Sequence, residues 1–206
     1  MNEKELVQEL KSLFENAGYN ELFKVFALTN LATKRFHELW QEWWKTKFLP
    51  KLEVDMILVF REFQKQEVFM SAIEIKYFKD FSARDFREGI QQALSFGIFG
   101  FDSLILWHIF PEGASKEEIE TIVKPCKDIV DGFRLPITYF ATQLTKDNNK
   151  FELYAPWEWL SSVDINPYQM IGYIKNESTK KKNPRLIEEE VQRRRKLLKV
   201  LLKIPI

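Results

Sequence analysis

The chain predicts an α/β protein, a mixed β-sheet flanked by helices, and three observations lead there. Segments with apolar residues at helical spacing alternate with shorter apolar runs of strand character. Two such runs, 52–60 and 68–76, lie close enough in sequence to form a hairpin. A third, 103–110, is almost unbroken in its apolar character, as expected of a strand covered on both faces. The resulting order of helix, strand, hairpin, helix, strand, helix, strand suits helices packed on a mixed sheet.

Taken in order, residues 3–16 carry Leu6, Leu10, Leu13 and Phe14 at helical spacing, with Gly18 as the stop. Residues 21–28 read as a strand. Residues 33–47 predict an aromatic-rich helix bearing Phe36, Leu39, Trp40, Trp43 and Trp44, closed by Pro50. The hairpin follows, its turn centred near Gln64 and Lys65. Ser82 serves as N-cap for a helix over 83–96, which the glycines at 97 and 100 end. After the 103–110 strand, Ser115 and Glu118 form a capping-box pattern for a helix reaching about Asp131. Strands are expected over 135–141 and 151–154. The signal is mixed from Trp157 onward; 176–184 reads as an exposed basic linker and 185–203 as a final helix.

Composition narrows the function classes. With 206 residues, 45% hydrophobic and 18 Phe, there is material for a substantial core. No apolar run approaches the roughly 20 residues that span a bilayer, and the charged N-terminus lacks a secretory pattern, so a cytoplasmic location is expected. The single Cys126 excludes an internal disulfide and Cys-based zinc sites, and it reads as a small helix residue rather than a nucleophile. Net charge is +1, but 175–203 holds eleven Lys/Arg against four Glu. A basic tail thus follows a mildly acidic body, a pattern compatible with nucleic-acid binding.

The chemistry concentrates on the hairpin. A turn at Gln64 and Lys65 sets Asp55 directly opposite Glu74, and side-chain alternation puts Glu74 and Lys76 on one face with Ile73 and Ile75 on the other. Two carboxylates so close repel unless a cation sits between them, and all-oxygen ligation suits Mg²⁺ or Mn²⁺. The bland alternative is a cross-strand ion pair on a solvated face, against which the apolar character of both strands counts.

Asp55, Glu74-Ile75-Lys76, the following helix with Gln92-Ala93-Leu94-Ser95-Phe96 and the buried strand after it together resemble the PD-(D/E)xK nuclease superfamily. Its restriction-endonuclease-like core is a helix, three strands, a helix and a further strand, and the likeness covers roughly 3–141. The resemblance implies Asp55 and Glu74 as metal ligands, the Ile75 carbonyl as a further oxygen donor and Lys76 as the catalytic lysine. Gln92 matches the Gln-x-x-x-Tyr helix motif of the RecB-like and lambda-exonuclease-like branch, with Gln91 as the fallback and Phe96 in place of the tyrosine. Holliday-junction resolvases are close in kind. A first-helix glutamate often completes the metal site in this family, and Glu9 or Glu5 is expected here. Val54 stands where the family has proline.

The resemblance further implies a Mg²⁺-dependent deoxyribonuclease acting on duplex or branched DNA, its partners being DNA and a second copy in a homodimer, with no membrane. Residues 1–155 would form the nuclease-like core domain and 156–206 a C-terminal extension with the basic linker and terminal helix. Lys34, Arg35, Lys180, Lys181, Lys182, Arg193 and Arg194 are the candidate nucleic-acid contacts. The aromatics of 33–47 can serve base stacking, but their spacing favours core or dimer packing. His37 reads as a surface residue and His108 as a buried or edge one. The alternative function is a catalytically silent nucleic-acid-binding protein that keeps the fold; a third is an interaction protein built on the aromatic helix and basic tail.

Overall fold

The computed structural model describes residues 1–44, 53–62, 67–79, 86–145, 150–155 and 164–204. Lys45, Lys47, Pro50, the turn residues Gln64 and Lys65, Ser82, Trp157 and the side chains of Leu39, Trp43 and Trp44 lie outside the described residues. Among the described residues, six strands form one sheet in sequence order: β1 (Leu22–Asn30), β2 (Glu53–Glu62), β3 (Glu67–Tyr77), β4 (Ser103–Phe110), β5 (Ile137–Leu144) and β6 (Phe151–Ala155). β1, β2 and β3 run antiparallel; β3, β4 and β5 are parallel neighbours; β6 returns antiparallel to β5.

The helices are α1 (Glu3–Glu15), α2 (Lys34–Trp44), α3 (Phe86–Ser95), α4 (Lys116–Gly132), α5 (Pro167–Lys180) and α6 (Glu189–Leu201). Strand alternation divides the core in two. One face of the sheet joins Ile57, Val59, Met70, Ala72, Leu104, Leu106 and Tyr139 to α2, α3, α4 and α6. The other joins Met56, Leu58, Ile73, Ile75, Ile105, Trp107 and Phe140 to α1 and α5. Because both faces are covered, all eight side chains of β4 are buried, which is why 103–110 reads as a continuous apolar run. Parallel β3, β4 and β5 need crossovers, and α3 and α4 supply them on one face.

The helix ends follow local chemistry. Asn2 and Glu5 close a capping box on α1, as Ser115 and Glu118 do on α4. In α2, Phe36 and Trp40 pack on Phe99 at 5.4 and 5.8 Å, so these aromatics belong to the core. His37 lies toward the surface, 2.8 Å from the Gln41 amide nitrogen.

The C-terminal segment departs from expectation. Residues 176–180 are not linker but the last turn of α5, with Ser178 buried. Asn183 is buried too: its amide donates to the carbonyls of Gly97 and Phe101, both at 2.9 Å. A short 3-10 turn, Pro184–Ile187, precedes α6 and leaves Ile187 88% exposed. Leu197, Leu198 and Leu202 enter the core, and Arg195 reaches Asp102 at 2.6 Å and the Val68 carbonyl at 2.9 Å. A charge-dense sequence hides this docking, because its few apolar residues alone meet the sheet while Arg195 satisfies backbone at the strand ends.

Candidate active site

The paired register of β2 and β3 runs from Glu62–Glu67 to Met56–Ile73, so Asp55 and Glu74 are the next residues beyond the ladder. This is the register a turn at Gln64 and Lys65 requires. Asp55 continues the row of Ile57 and Val59; Glu74 and Lys76 continue that of Met70 and Ala72. All three therefore share the face covered by α3. Where the ladder stops, the Asp55 side chain takes over a backbone role: its Oδ2 accepts the Ile75 N–H at 2.8 Å.

Glu74 is 4% exposed and its Oε1 lies 2.7 Å from Lys76 Nζ. The Lys76 stem packs beneath α3 at Gly89, where a Cβ would sit 3.4 Å from Lys76 Cγ and 2.9 Å from Leu106 Cδ1. A glycine at this point lets the helix approach the lysine closely. One turn further, Gln92 lies on the same side of α3; its Oε1 is buried and has no hydrogen-bond partner among the described residues. Gln91 is exposed, so the register favours Gln92. Phe96 is a core residue.

The first helix contributes differently from the expectation. Glu9 lies on the exposed face of α1, and Glu5 is also exposed, its carboxylate accepting the Asn2 N–H at 2.8 Å. Glu3 is the glutamate that reaches the trio: its Oε2 accepts the Tyr77 N–H at 3.0 Å, and its charge acts on Asp55, Glu74 and Lys76. The signal was present in the sequence. Glu3 lies three residues before Leu6 and seven before Leu10, within the buried arc, whereas Glu9 and Glu5 lie outside it.

Electrostatics at the trio are dominated by burial. Desolvation, then the Asp55 charge, raises Glu74 from 4.5 to about 7, against the pull of Lys76. Desolvation raises Asp55 from 3.8 to about 6, opposed by the Ile75 N–H and Lys76 and assisted by Glu3 and Glu53. Burial pushes Lys76 down, but the charge and hydrogen bond of Glu74, with Glu3 and Asp55, outweigh it and hold the ammonium above its ordinary value. Without a bound cation, Lys76 is thus a proton-bearing group rather than a base.

The donor chemistry fits a hard divalent cation. Three carboxylates, Asp55, Glu74 and Glu3, act on one ammonium, and burial makes Asp55 and Glu74 resist ionisation even with Lys76 beside them. Among the described residues no three His, Cys, Asp or Glu side chains converge on one point as metal ligands. The set that would hold such an ion is therefore sparse, Asp55 and Glu74 with the Ile75 carbonyl expected beside them. Mg²⁺ retains waters readily and is commonly held by one or two carboxylates.

The candidate nucleic-acid contacts separate into two groups. Lys34 and Arg35 are exposed at the start of α2, four residues beyond Asn30, which pairs with Glu53 beside Asp55. Lys182 bridges Ser103 at the opposite end of β4 from His108, the register partner of Lys76. Five residues of strand separate those ends, ~16 Å. Lys180 is paired with Glu177, Lys181 with Asp131 and Arg193 with Glu189. Arg194 is corrected outright: it is 1% exposed, donates to the Ile98 carbonyl at 2.9 Å and lies over the Trp40 ring, so it serves the core and not a ligand.

No protein-family model matches the chain, and neither a curated protein nor a solved structure does. Among the described residues, no helix is long and apolar enough to cross a membrane.

Proposed function

We propose that the chain is a divalent-metal-dependent nuclease of the PD-(D/E)xK, restriction-endonuclease-like kind, hydrolysing phosphodiester bonds in duplex or branched DNA. The observation that carries this reading is the geometry at the end of the β2–β3 ladder. There the Asp55 carboxylate is held on the Ile75 N–H beside a buried Glu74 that pairs with Lys76 at 2.7 Å. The order α1, β1, β2, β3, α3, β4, with α2 inserted, supports the fold assignment. A homodimer belongs to the proposal through the family resemblance alone.

Asp55 and Glu74 would hold Mg²⁺ or Mn²⁺ with the Ile75 carbonyl. The bound ion would supply Lewis-acid polarisation of the phosphate and a more acidic water. Glu74 and Asp55 would be ionised in that state, since a bound cation offsets the desolvation that raises both. Lys76, kept protonated by its acidic surroundings, would donate to a phosphate oxygen and stabilise the charge that builds on it. Gln92, held one turn from Gly89 on α3, would orient the substrate or the lysine through its amide. Glu3 anchors the end of β3 and adds negative potential. Lys34 and Arg35 are the candidate contacts lying toward the same end, suited to phosphates flanking the cleavage point. Against the silent-binding alternative stands the retained set of Asp55, Glu74 and Lys76.

A cleavage panel of linear, circular, flapped and four-way-junction DNA with Mg²⁺ or Mn²⁺ tests the proposal. Wild-type protein should cut at least one substrate, and Asp55→Ala, Glu74→Ala or Lys76→Ala should each reduce the rate by ~100-fold or more. Full activity in all three variants, or no cleavage of any substrate by the wild type, overturns it.

A further inference from the structure

His108 lies outside the trio yet directly beside it. In the parallel register of β3 and β4 it is the partner of Lys76, and both side chains occupy the face covered by α3 and α4. The ring is fully buried and set edge-on to Phe78 at 4.9 Å and to Tyr139 at 5.1 Å. Its Nδ1 is 2.9 Å from the Tyr139 hydroxyl, which burial first, and the nearby Cys126 thiol second, raise well above its ordinary value. Nε2 is buried and has no hydrogen-bond partner among the described residues. A buried polar atom without a partner costs stability, so its retention here calls for a reason.

We propose that His108 is a positioning residue for Lys76, its Nε2 lone pair receiving the ammonium when Glu74 turns to a metal ion. This rests on the nuclease reading for its purpose, since only a Glu74 committed elsewhere leaves Lys76 in need of a second acceptor. The proposal requires one tautomer: with the Tyr139 proton directed to the Cys126 sulfur, the His108 Nδ1–H donates to the Tyr139 oxygen and Nε2 is left bare. Burial first, and the nearby Lys76 charge second, push the imidazole down to about 3, so the ring is neutral and able to accept. Of the other groups around Lys76, Gly89 has no side chain, Asp55 accepts the Ile75 N–H and is itself assigned to the metal ion, and Glu3 accepts the Tyr77 N–H at the end of β3. Two alternative acceptors, one charged and one neutral, would keep the ammonium beside the phosphate through metal binding.

The test joins a spectroscopic readout to kinetics. Imidazole ¹⁵N spectra of the metal-free protein should show the His108 proton on Nδ1. Glu74→Gln, which removes the charged acceptor, should shift the Nε2 resonance in the sense of a newly accepted hydrogen bond. Adding Lys76→Met to Glu74→Gln should return it. A proton found on Nε2, or an Nε2 resonance identical in wild type, Glu74→Gln and the double variant, overturns the proposal. In cleavage assays His108→Leu should lower kcat by roughly 10- to 100-fold with little change in KM. His108→Gln places an amide oxygen near the Nε2 position and should recover most of that loss. Equal losses in both variants argue for packing alone and against positioning. If His108→Leu does not fold, Tyr139→Phe keeps the ring while freeing the tautomer, and should lower kcat in the same direction. Failure of the wild type to cleave any DNA sinks the nuclease reading, while the Nε2 spectra still decide whether His108 accepts from Lys76.

Discussion

Glu74→Gln should stabilise the metal-free protein at pH 8 relative to pH 5, although it removes the ion pair to Lys76. A carboxyl whose value in the folded state lies above its unfolded value binds its proton more tightly when folded. Between the two values the folded protein carries more protons, so stability falls as pH rises. For Glu74 the fall starts near 4.5 and is complete once pH passes about 7. At ~1.4 kcal/mol per pH unit over that window, the wild type loses ~3 kcal/mol between pH 5 and pH 8 on account of this group. Asp55 loses stability over a similar window, ending near 6. The Asp55 charge raises Glu74, so the two groups titrate together and their effects do not add. Comparing the variant at two pH values cancels the pH-independent cost of repacking the amide. Urea denaturation in EDTA at pH 5 and pH 8 reads the effect directly. The wild type should weaken on going to pH 8, and Glu74→Gln should weaken by ~2–3 kcal/mol less; a difference of that size is ~4–12 °C in Tm for a chain of this length. Adding Mg²⁺ at pH 8 should stabilise the wild type and have little effect on Glu74→Gln. Equal pH dependence in the two proteins would refute the buried, mutually repelling pair.

Two further substitutions probe how the C-terminal helix is held. Gly100 has φ +88°, and a Cβ there would lie 2.7 Å from the Arg195 Cα and 2.8 Å from its backbone nitrogen. Gly100→Ala should therefore cost ~2–4 kcal/mol, from backbone strain and displacement of α6, seen as a lower urea midpoint. A loss below ~0.5 kcal/mol would show that α6 does not dock there. Asn183→Ala leaves the Gly97 and Phe101 carbonyls without their side-chain donor, at a cost of ~1–3 kcal/mol. Asn183→Asp should fare no better, because a carboxylate cannot donate; restoration of wild-type stability by aspartate would contradict the hydrogen-bond account.

The hairpin was legible because its signals agree. Two apolar runs, a short polar spacer and the placement of Asp55 and Glu74 all specify one register, and a slip of a single residue would send Ile57 and Ile73 to the wrong faces. The aromatics Phe36 and Trp40 were legible for the same reason, since three- and four-residue spacing defines one helix face. The stretch 176–184 was not. Its lysines and Asn-Pro step resemble an exposed connection, whereas Ser178 is buried on α5 and Asn183 is buried with its amide on carbonyls more than 80 positions away. Arg194 misleads likewise, because its triplet neighbours are partly or fully exposed and only the position of Trp40 and Ile98 reveals its role.

By itself the sequence determined the alternation of helix and strand, the division of each strand into two faces, and the meeting of Asp55, Glu74 and Lys76 at one place. These follow from local periodicity and from a hairpin, where pairing partners are close along the chain. The helical period of α1 sets Glu3 and not Glu9 on the buried arc, but only the tertiary structure decided that this arc reaches the trio, that His108 lies beside Lys76, and that the basic tail packs at the far end of the sheet. Those relations depend on crossovers and helix docking between distant segments, and no local pattern encodes which side chains such packing brings into contact.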